Sequence, residues 1–326
     1  MRQTAFEARH GAEWERFGHW LDRRERPKGH SDAGPMLADT DVPGLYRRVC
    51  QHLALARDRQ YSPRLVERLN GLALRGHHVL YAARGAGVGR LGTFLAADFP
   101  RLVRTEWRLV AVSTLLFLAP AVALTVAVWL DPDLALDLMS PDELAELREM
   151  YDPANDRLGV RQADTDVAML GFYIWNNVKV GFQTFATGLA FGIGTVFYLV
   201  YNAAMSGVIA GHLTVSGLGQ PFWSFVAGHS GPELTALTIS GAAGLRLGTA
   251  VISPGQRTRR AALVAAARPA VGLGYGAALL FLAAAFTEAF WSPLTVFPAT
   301  TKYVVGVILW GLLISYLVLG GRGRGA

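Results

Sequence analysis

The chain has 326 residues, of which 52% are hydrophobic and 17% charged, with a net charge of +6 and a pI near 9.7. That apolarity excludes an ordinary soluble protein and points to a polytopic, all-α membrane protein with a polar front end. One cysteine, Cys50, excludes an intramolecular disulfide and any multi-cysteine metal site. The positive charge follows a topological pattern and comes with no nucleic-acid motif, so no nucleic-acid partner is expected.

The opening MRQTAFEARHGAEWERF has no apolar core and reads as neither a signal nor a transit peptide. Residues 1–107 read as a cytoplasmic helical domain; up to Arg108 there are 19 basic and 12 acidic residues. Leu45, Val49, His52, Leu53 and Ala56 recur at helical spacing, as do Leu65, Leu69, Leu72 and Leu80. Pro43 and Pro63 stand where helices begin, with Asp41 and Ser62 near cap positions, and Gly29 to Gly44 reads as a loop. His77 and His78 point about 100° apart on a helix and do not form a metal pair. GAGVGRLG at 85–92 lacks the Lys-Ser/Thr of a phosphate loop and reads as a joint.

The first transmembrane helix is expected at 108–130, with Trp107 and Trp129 near its ends and Pro120 kinking its middle. Residues 131–176 then hold 11 acids against Arg148, Arg157 and Arg161. MSPDELAELREMYD, opened by Ser140 and Pro141, predicts a short helix in an extracytoplasmic loop without the ligand spacing of a calcium site.

From 177 to 320 a membrane bundle is expected. Residues 180–210 read as one tilted span, with Gly188 and Gly192 offering a small face. Residues 212–252 read as a broken or re-entrant element, its break at Gly228–Pro232. The basic joint SPGQRTRR and Arg268 read as cytoplasmic, ahead of spans near 271–290 and 303–319 and a basic tail at 321–326. Five full crossings of ordinary length are expected, with 212–252 as the broken or re-entrant element and both termini on the cytoplasmic side of a bacterial inner membrane; five clean spans with the C-terminus outside is the competing topology.

The segment from Gly228 to Gly248, GHSGPELTALTISGAAGLRLG, carries ionisable groups where a lipid-facing helix would carry none. Glu233 and Glu288 are the only acids beyond residue 176. A charged side chain at membrane depth costs roughly 2.5–3.5 kcal/mol on insertion scales, so such groups normally face protein or a water-filled cavity. His229, Glu233, Arg246 and Glu288 form the candidate intramembrane polar set, either a lock fixing helix register or the lining of a transport site. Arg246, 13 residues beyond Glu233, has Glu288 or a lipid phosphate as its expected partner. Ser240, Gly244 and Gly248 recur at i, i+4 and read as a packing stripe for another helix or subunit.

NNVKVGF, the glycine-rich span after it, and FVAGHSGPELTALTISGAAGLRLG resemble the stage II sporulation protein M family. Glu233 and Arg246 match its pattern directly, and Ser230 stands between His229 and Gly231. FEARHGAEWERF, YRRVCQHLALAR and LNGLALRGHHVLY resemble the helical front end of non-sporulating members. The resemblance implies an inner-membrane protein with no established reaction. It implies assembly with two peptidoglycan-cutting partners in spore formers. Elsewhere it implies the company of a MoxR-type ATPase, a von Willebrand factor-like protein and an RDD-type membrane protein.

Residues alone argue against an enzyme: His229 and Glu233 lack the second histidine of a zincin, and no Gly-x-Ser-x-Gly elbow is present. No cofactor and no metal are expected. The leading reading is a scaffold that forms a homo-oligomer, a dimer by expectation, and meets membrane lipids, a MoxR-type ATPase or peptidoglycan-remodelling proteins. The alternative is a transporter or lipid-handling channel built on the polar set.

Overall fold

The computed structural model describes residues 2–25, 41–81, 87–159 and 165–322. Most of the loop expected at 29–44, the start of the 85–92 joint, Arg161 and residues 323–326 of the tail lie outside them. The chain divides into two compact units, Met1–Gly92 and Thr93–Ala326. The described residues are helical throughout, apart from turns and an isolated β-bridge between Arg157 and Leu294.

The first unit is built on α1 (Gln3–Glu25), α2 (Val42–Asp58) and α3 (Pro63–Tyr81). Pro43 and Pro63 sit in the first turns of their helices, where a missing N–H costs nothing. The apolar stripes meet in one core: Trp14 and Phe17 from α1, Leu45 and Val49 from α2, Leu65 and Leu69 from α3. Helix α4 (Gly87–Thr93) ends at the unit boundary.

The second unit opens with a π-turn at 94–98 and α5 (Phe99–Thr105). Compactness thus breaks at residue 92, earlier than the boundary expected at 107. Phe99 and Val103 are buried in the core of the bundle, and the Arg104 guanidinium donates to the carbonyls of Leu317 and Gly320 at 2.6 and 2.7 Å. Helix α6 (Trp107–Leu130) follows, then α7 (Leu134–Leu138) and α8 (Pro141–Met150). A capping box opens α8: Ser140 Oγ accepts from the Glu143 N–H at 3.3 Å, and the Ser140 N–H donates to Glu143 Oε2 at 2.8 Å. The bonds from the Ser140 backbone and hydroxyl hold the Glu143 carboxyl below the usual carboxylate range.

Two corrections follow. The first concerns residues 166–213. They form a hairpin, α9 (Asp166–Ala186) and α10 (Ile193–Leu213), joined by a 3-10 turn at Thr187–Leu189 and the residues after it. Residues 166–176, expected in the acidic loop, open a helix capped by Thr165 Oγ1. The single tilted span expected at 180–210 is divided by a turn. Its left-handed corner falls at Phe191 (φ 56°) and Gly192 (φ 77°), a conformation that glycine adopts without steric cost and a bulky residue rarely adopts.

The second correction concerns the break at Gly228–Pro232. Helix α11 (Gly219–Ile252) runs through it for 34 residues, roughly 50 Å at 1.5 Å per residue. The left-handed residue lies upstream at Gly217 (φ 81°), in the π-turn at 214–218 that links α10 to α11. Pro232 removes one N–H, so the Gly228 carbonyl loses its i+4 donor while the helix continues past it. The last two long helices are α12 (Arg259–Phe290) and α13 (Ala299–Leu319).

Trp107–Leu130, Ile193–Ile252, Arg259–Phe290 and Ala299–Leu319 are long and apolar enough to cross a membrane, the second being α10 and α11 taken together. Cross-helix contacts set the directions. Gly207 lies against Ala121 and Gly211 against Thr125, so α6 and α10 are parallel. Gly244 meets Thr195 and Gly241 meets Leu199, so α10 and α11 are antiparallel. Gly181 against Phe281, with Met169 and Tyr173 against Ala285 and Ala289, makes α9 and α12 antiparallel. Gly306 against Ala227 and Trp310 against Gly231 make α11 and α13 parallel.

Among the described glycines, the closest approach to another backbone lies between the 187–192 turn and α11. A Cβ on Gly188 would run into the Gly244 backbone, which cannot rotate away. Gly188→Ala is therefore expected to destabilise the bundle by about 1–3 kcal/mol, the usual cost of overpacking. Gly171→Ala, in open space on α9, should be neutral or stabilising. Thermal unfolding in detergent compares the two.

Candidate functional site

Helix α11 presents His229 and Glu233 one turn apart, with Nε2 and Oε2 separated by 3.6 Å. His229 Nδ1 lies 2.8 Å from Ser292 Oγ, both side chains buried, and the Phe225 ring meets the imidazole edge-on at 5.1 Å. Ser292 belongs to the non-helical connection between α12 and α13, and the Nζ of Lys302 donates to its carbonyl at 2.8 Å. Lys302 is 1% exposed although it is the fourth residue of α13. One level along, Asn177 of α9 donates to Glu288 Oε2 at 3.4 Å. Trp310 Nε1 donates to Ser230 Oγ at 3.1 Å. Trp310 stands near the middle of α13 and Lys302 in its first turn, so the node runs from the end of the bundle inward.

No break falls at Gly228–Pro232; Trp291 and Ser292, in the connection between α12 and α13, pack on Gly228 there. The loop after α8 also reaches the node. The buried Tyr151 phenol is pushed above its ordinary pKa, first by burial and then by Tyr173, Glu288 and Glu233.

The four residues expected to form one polar set divide into two places. His229, Glu233 and Glu288 share the node. Arg246 lies at the other end of α11, its Nε 3.4 Å from Oε1 of the buried Glu106. Glu288 is therefore not its partner, because 13 residues of helix separate Arg246 from Glu233 and α12 meets α11 antiparallel. Sequence reasoning missed Glu106, Asn177, Ser292 and Lys302. Glu106 read as one more charge of the front end, and a lysine so near a helix end reads as reaching for solvent.

The packing residues meet within one chain: Gly188 on Gly244 and Gly192 on Gly248. Ser240 is buried beside an apolar cleft of about 320 Å³ between α9 and α12.

The first unit holds a trio that residue spacing did not disclose, because two helices contribute to it. His10, Glu13 and His52 offer ligand atoms within 4.8 Å of one another. They are already engaged: Trp14 Nε1 donates to His52 Nδ1 at 3.1 Å, and Arg48 Nε lies 3.4 Å from Glu13 Oε2. Burial, then the neighbouring His10, lowers the His52 pKa.

The node and the antiparallel apolar rods define a polytopic α-helical membrane protein with a buried ionisable centre. Residues 113–293 match the profile of stage II sporulation protein M, and the chain belongs to that family. Residues 4–82 match a domain of unknown function (DUF8413). No curated protein and no solved structure matches the chain.

Asn177→Leu strips Glu288 of its donor and is expected to cost about 1–3 kcal/mol, the penalty of an orphaned buried polar group. Adding Glu288→Leu should recover most of that loss, because no orphan then remains; thermal unfolding of both variants measures it. In the first unit, a neutral His52 is favoured by folding. Stability is present above the unfolded value near 6.5 and is lost as pH falls through it toward the lowered folded value. Protection factors of the α1 and α2 amides, taken relative to the intrinsic exchange rate at each pH, should fall between pH 7.5 and 5, and His52→Gln should flatten that fall.

Proposed function

We propose that this protein is a non-catalytic scaffold of the bacterial inner membrane, holding partner proteins rather than transforming a substrate. The observation that supports this best is that the ionisable groups at depth are met by partners in the same chain. Lys302, Ser292 and His229 tie the α12–α13 connection to α11, and Asn177 ties α9 to Glu288. Such a network fixes helix register, as a platform for assembly requires. The partners that family membership brings to the reading are a MoxR-type ATPase or peptidoglycan-remodelling proteins, together with a second copy of the chain.

Charge supports an orientation. Arg101, Arg104, Arg257, Arg259 and Arg260 lie at the end of the bundle where α11 finishes, and the acidic 131–159 connection lies at the other. By the positive-inside rule the basic end, and with it both chain termini, faces the cytoplasm.

A second reading has one observation in its favour. Glu233 beside His229 on α11 and Glu288 beside Asn177 on α12 put two carboxylates in one node, the groups that would take up a cation or a proton. Glu233→Gln decides between the two when wild type and variant are purified in nanodiscs and scored for oligomeric mass and co-purifying proteins. The scaffold reading expects the variant to lose its oligomer or its partners. Unchanged assembly with loss of a bound ion would overturn it in favour of transport.

A further inference from the structure

Where α11 ends, two concavities adjoin. One is a polar pocket of about 330 Å³ lined by Arg246, Thr249, Ser253, Arg257 and the alanines of the first turns of α12. The other is an apolar groove of about 410 Å³ lined by Phe191, Ile193, Val196, Phe197, Leu245 and Ile252. Thr249 lines both, so the basic pocket and the apolar groove adjoin along α11.

The chemistry of each half is specific. Glu106 holds the buried Nε of Arg246, while the side chain as a whole stays 40% exposed, so its outer end is left for the pocket. Arg257, exposed, lines the same pocket, together with the small side chains of Ala262, Ala265 and Ala266. Two guanidiniums beside a helix N-terminus suit a phosphate, through charge, dipole and forked N–H donors. Along the groove, Ile193 and Phe197 stay 70% and 60% exposed, and Phe191 is held in the left-handed region that places it at the rim.

We infer that this is a binding site for an anionic phospholipid, its phosphate between Arg246 and Arg257 and one acyl chain along the Ile193–Phe197 face. A free phosphate has no use for the groove, and a zwitterionic lipid gains less from the second arginine; adjacency and charge together select an anionic lipid. The inference is independent of the scaffold reading, because the site shares no residue with the polar node.

Native mass spectrometry of the full-length protein tests it, with palmitoyl-oleoyl phosphatidylglycerol, the matching phosphatidylcholine and inorganic phosphate as probes. Phosphatidylglycerol adducts should exceed phosphatidylcholine adducts by about five-fold, the effect of roughly one basic contact with an anionic headgroup. Arg257→Gln, which leaves the Arg246–Glu106 pair untouched, should abolish that preference. Val196→Trp, which fills the groove, should reduce adducts of both lipids. Equal retention of the two lipids by wild type, or an unaltered preference in Arg257→Gln, overturns the inference. So does displacement of phosphatidylglycerol by equimolar inorganic phosphate with Val196→Trp silent, since the site then takes a free anion.

Discussion

The bundle depends on a close backbone approach, that of the 187–192 turn to the glycine face of α11. Between helices in lipid there is no hydrophobic driving force, because the tails are as apolar as leucine. Association rests on dispersion and hydrogen bonds, both of which need near contact. Gly188 on Gly244 and Gly192 on Gly248 supply that contact, and Gly241 admits Ser113 and Leu199 on the same face. The approach also lets Thr195 Oγ1 donate to the Thr184 carbonyl at 2.7 Å, across the corner of the hairpin. α9 is thereby held at the level where Asn177 reaches Glu288.

The polar node is the second consequence. Its ionisable groups carry an insertion cost that a buried network must offset, and such a network is worth having only if its members are met. Each partner comes from a different stretch of chain: α9, α11, the 291–298 connection and α13. A slip of one helix by one residue rotates it about 100° and breaks the node, so the polar groups penalise wrong registers that an apolar seam would tolerate. Arg246 and Glu106 do the same at the other end of α11, joining it to the entrance of α6.

Much of this was legible in the sequence. The spans at 108–130, 271–290 and 303–319, the short capped helix after Ser140 and the family motif could all be read from pattern. The hairpin at 166–213 could not. Its corner, GLAFGIG, is written in residues as apolar as the helices it joins. A turn inside a bundle needs left-handed backbone at Phe191 and Gly192 rather than polar side chains. Asn176, Asn177 and Lys179 added to the confusion by making the start of α9 look like loop. Pro232 misled in the opposite sense: proline with two glycines reads as a break, yet α11 runs through all three, with Trp291, Ser292 and Trp310 packed on the two glycines. The motif marked Glu233 and Arg246 together, and spacing alone could not tell that a single helix would carry them to different neighbours.

Resolving the hairpin also removes the reason for a re-entrant element. With 180–210 taken as one span, the basic joint at 253–260 and the front end fall on the same side only if 212–252 turns back. With α9 and α10 as separate rods, directions alternate through α6, α9, α10, α11, α12 and α13, and the parity is even. The bundle records this independently. Arg104 binds the Leu317 and Gly320 carbonyls, Arg101 Nε donates to Gly321 at 3.0 Å, and the Tyr316 hydroxyl donates to the Leu95 carbonyl at 2.5 Å. The last turn of the last helix is thus tied to the segment that leads into the first. An odd number of full traversals would leave those two segments a bundle length apart, roughly 30 Å for rods of this size. The arginines that make these bonds also belong to the basic end on which the proposed orientation rests, so closure of the bundle and that proposal draw on the same residues.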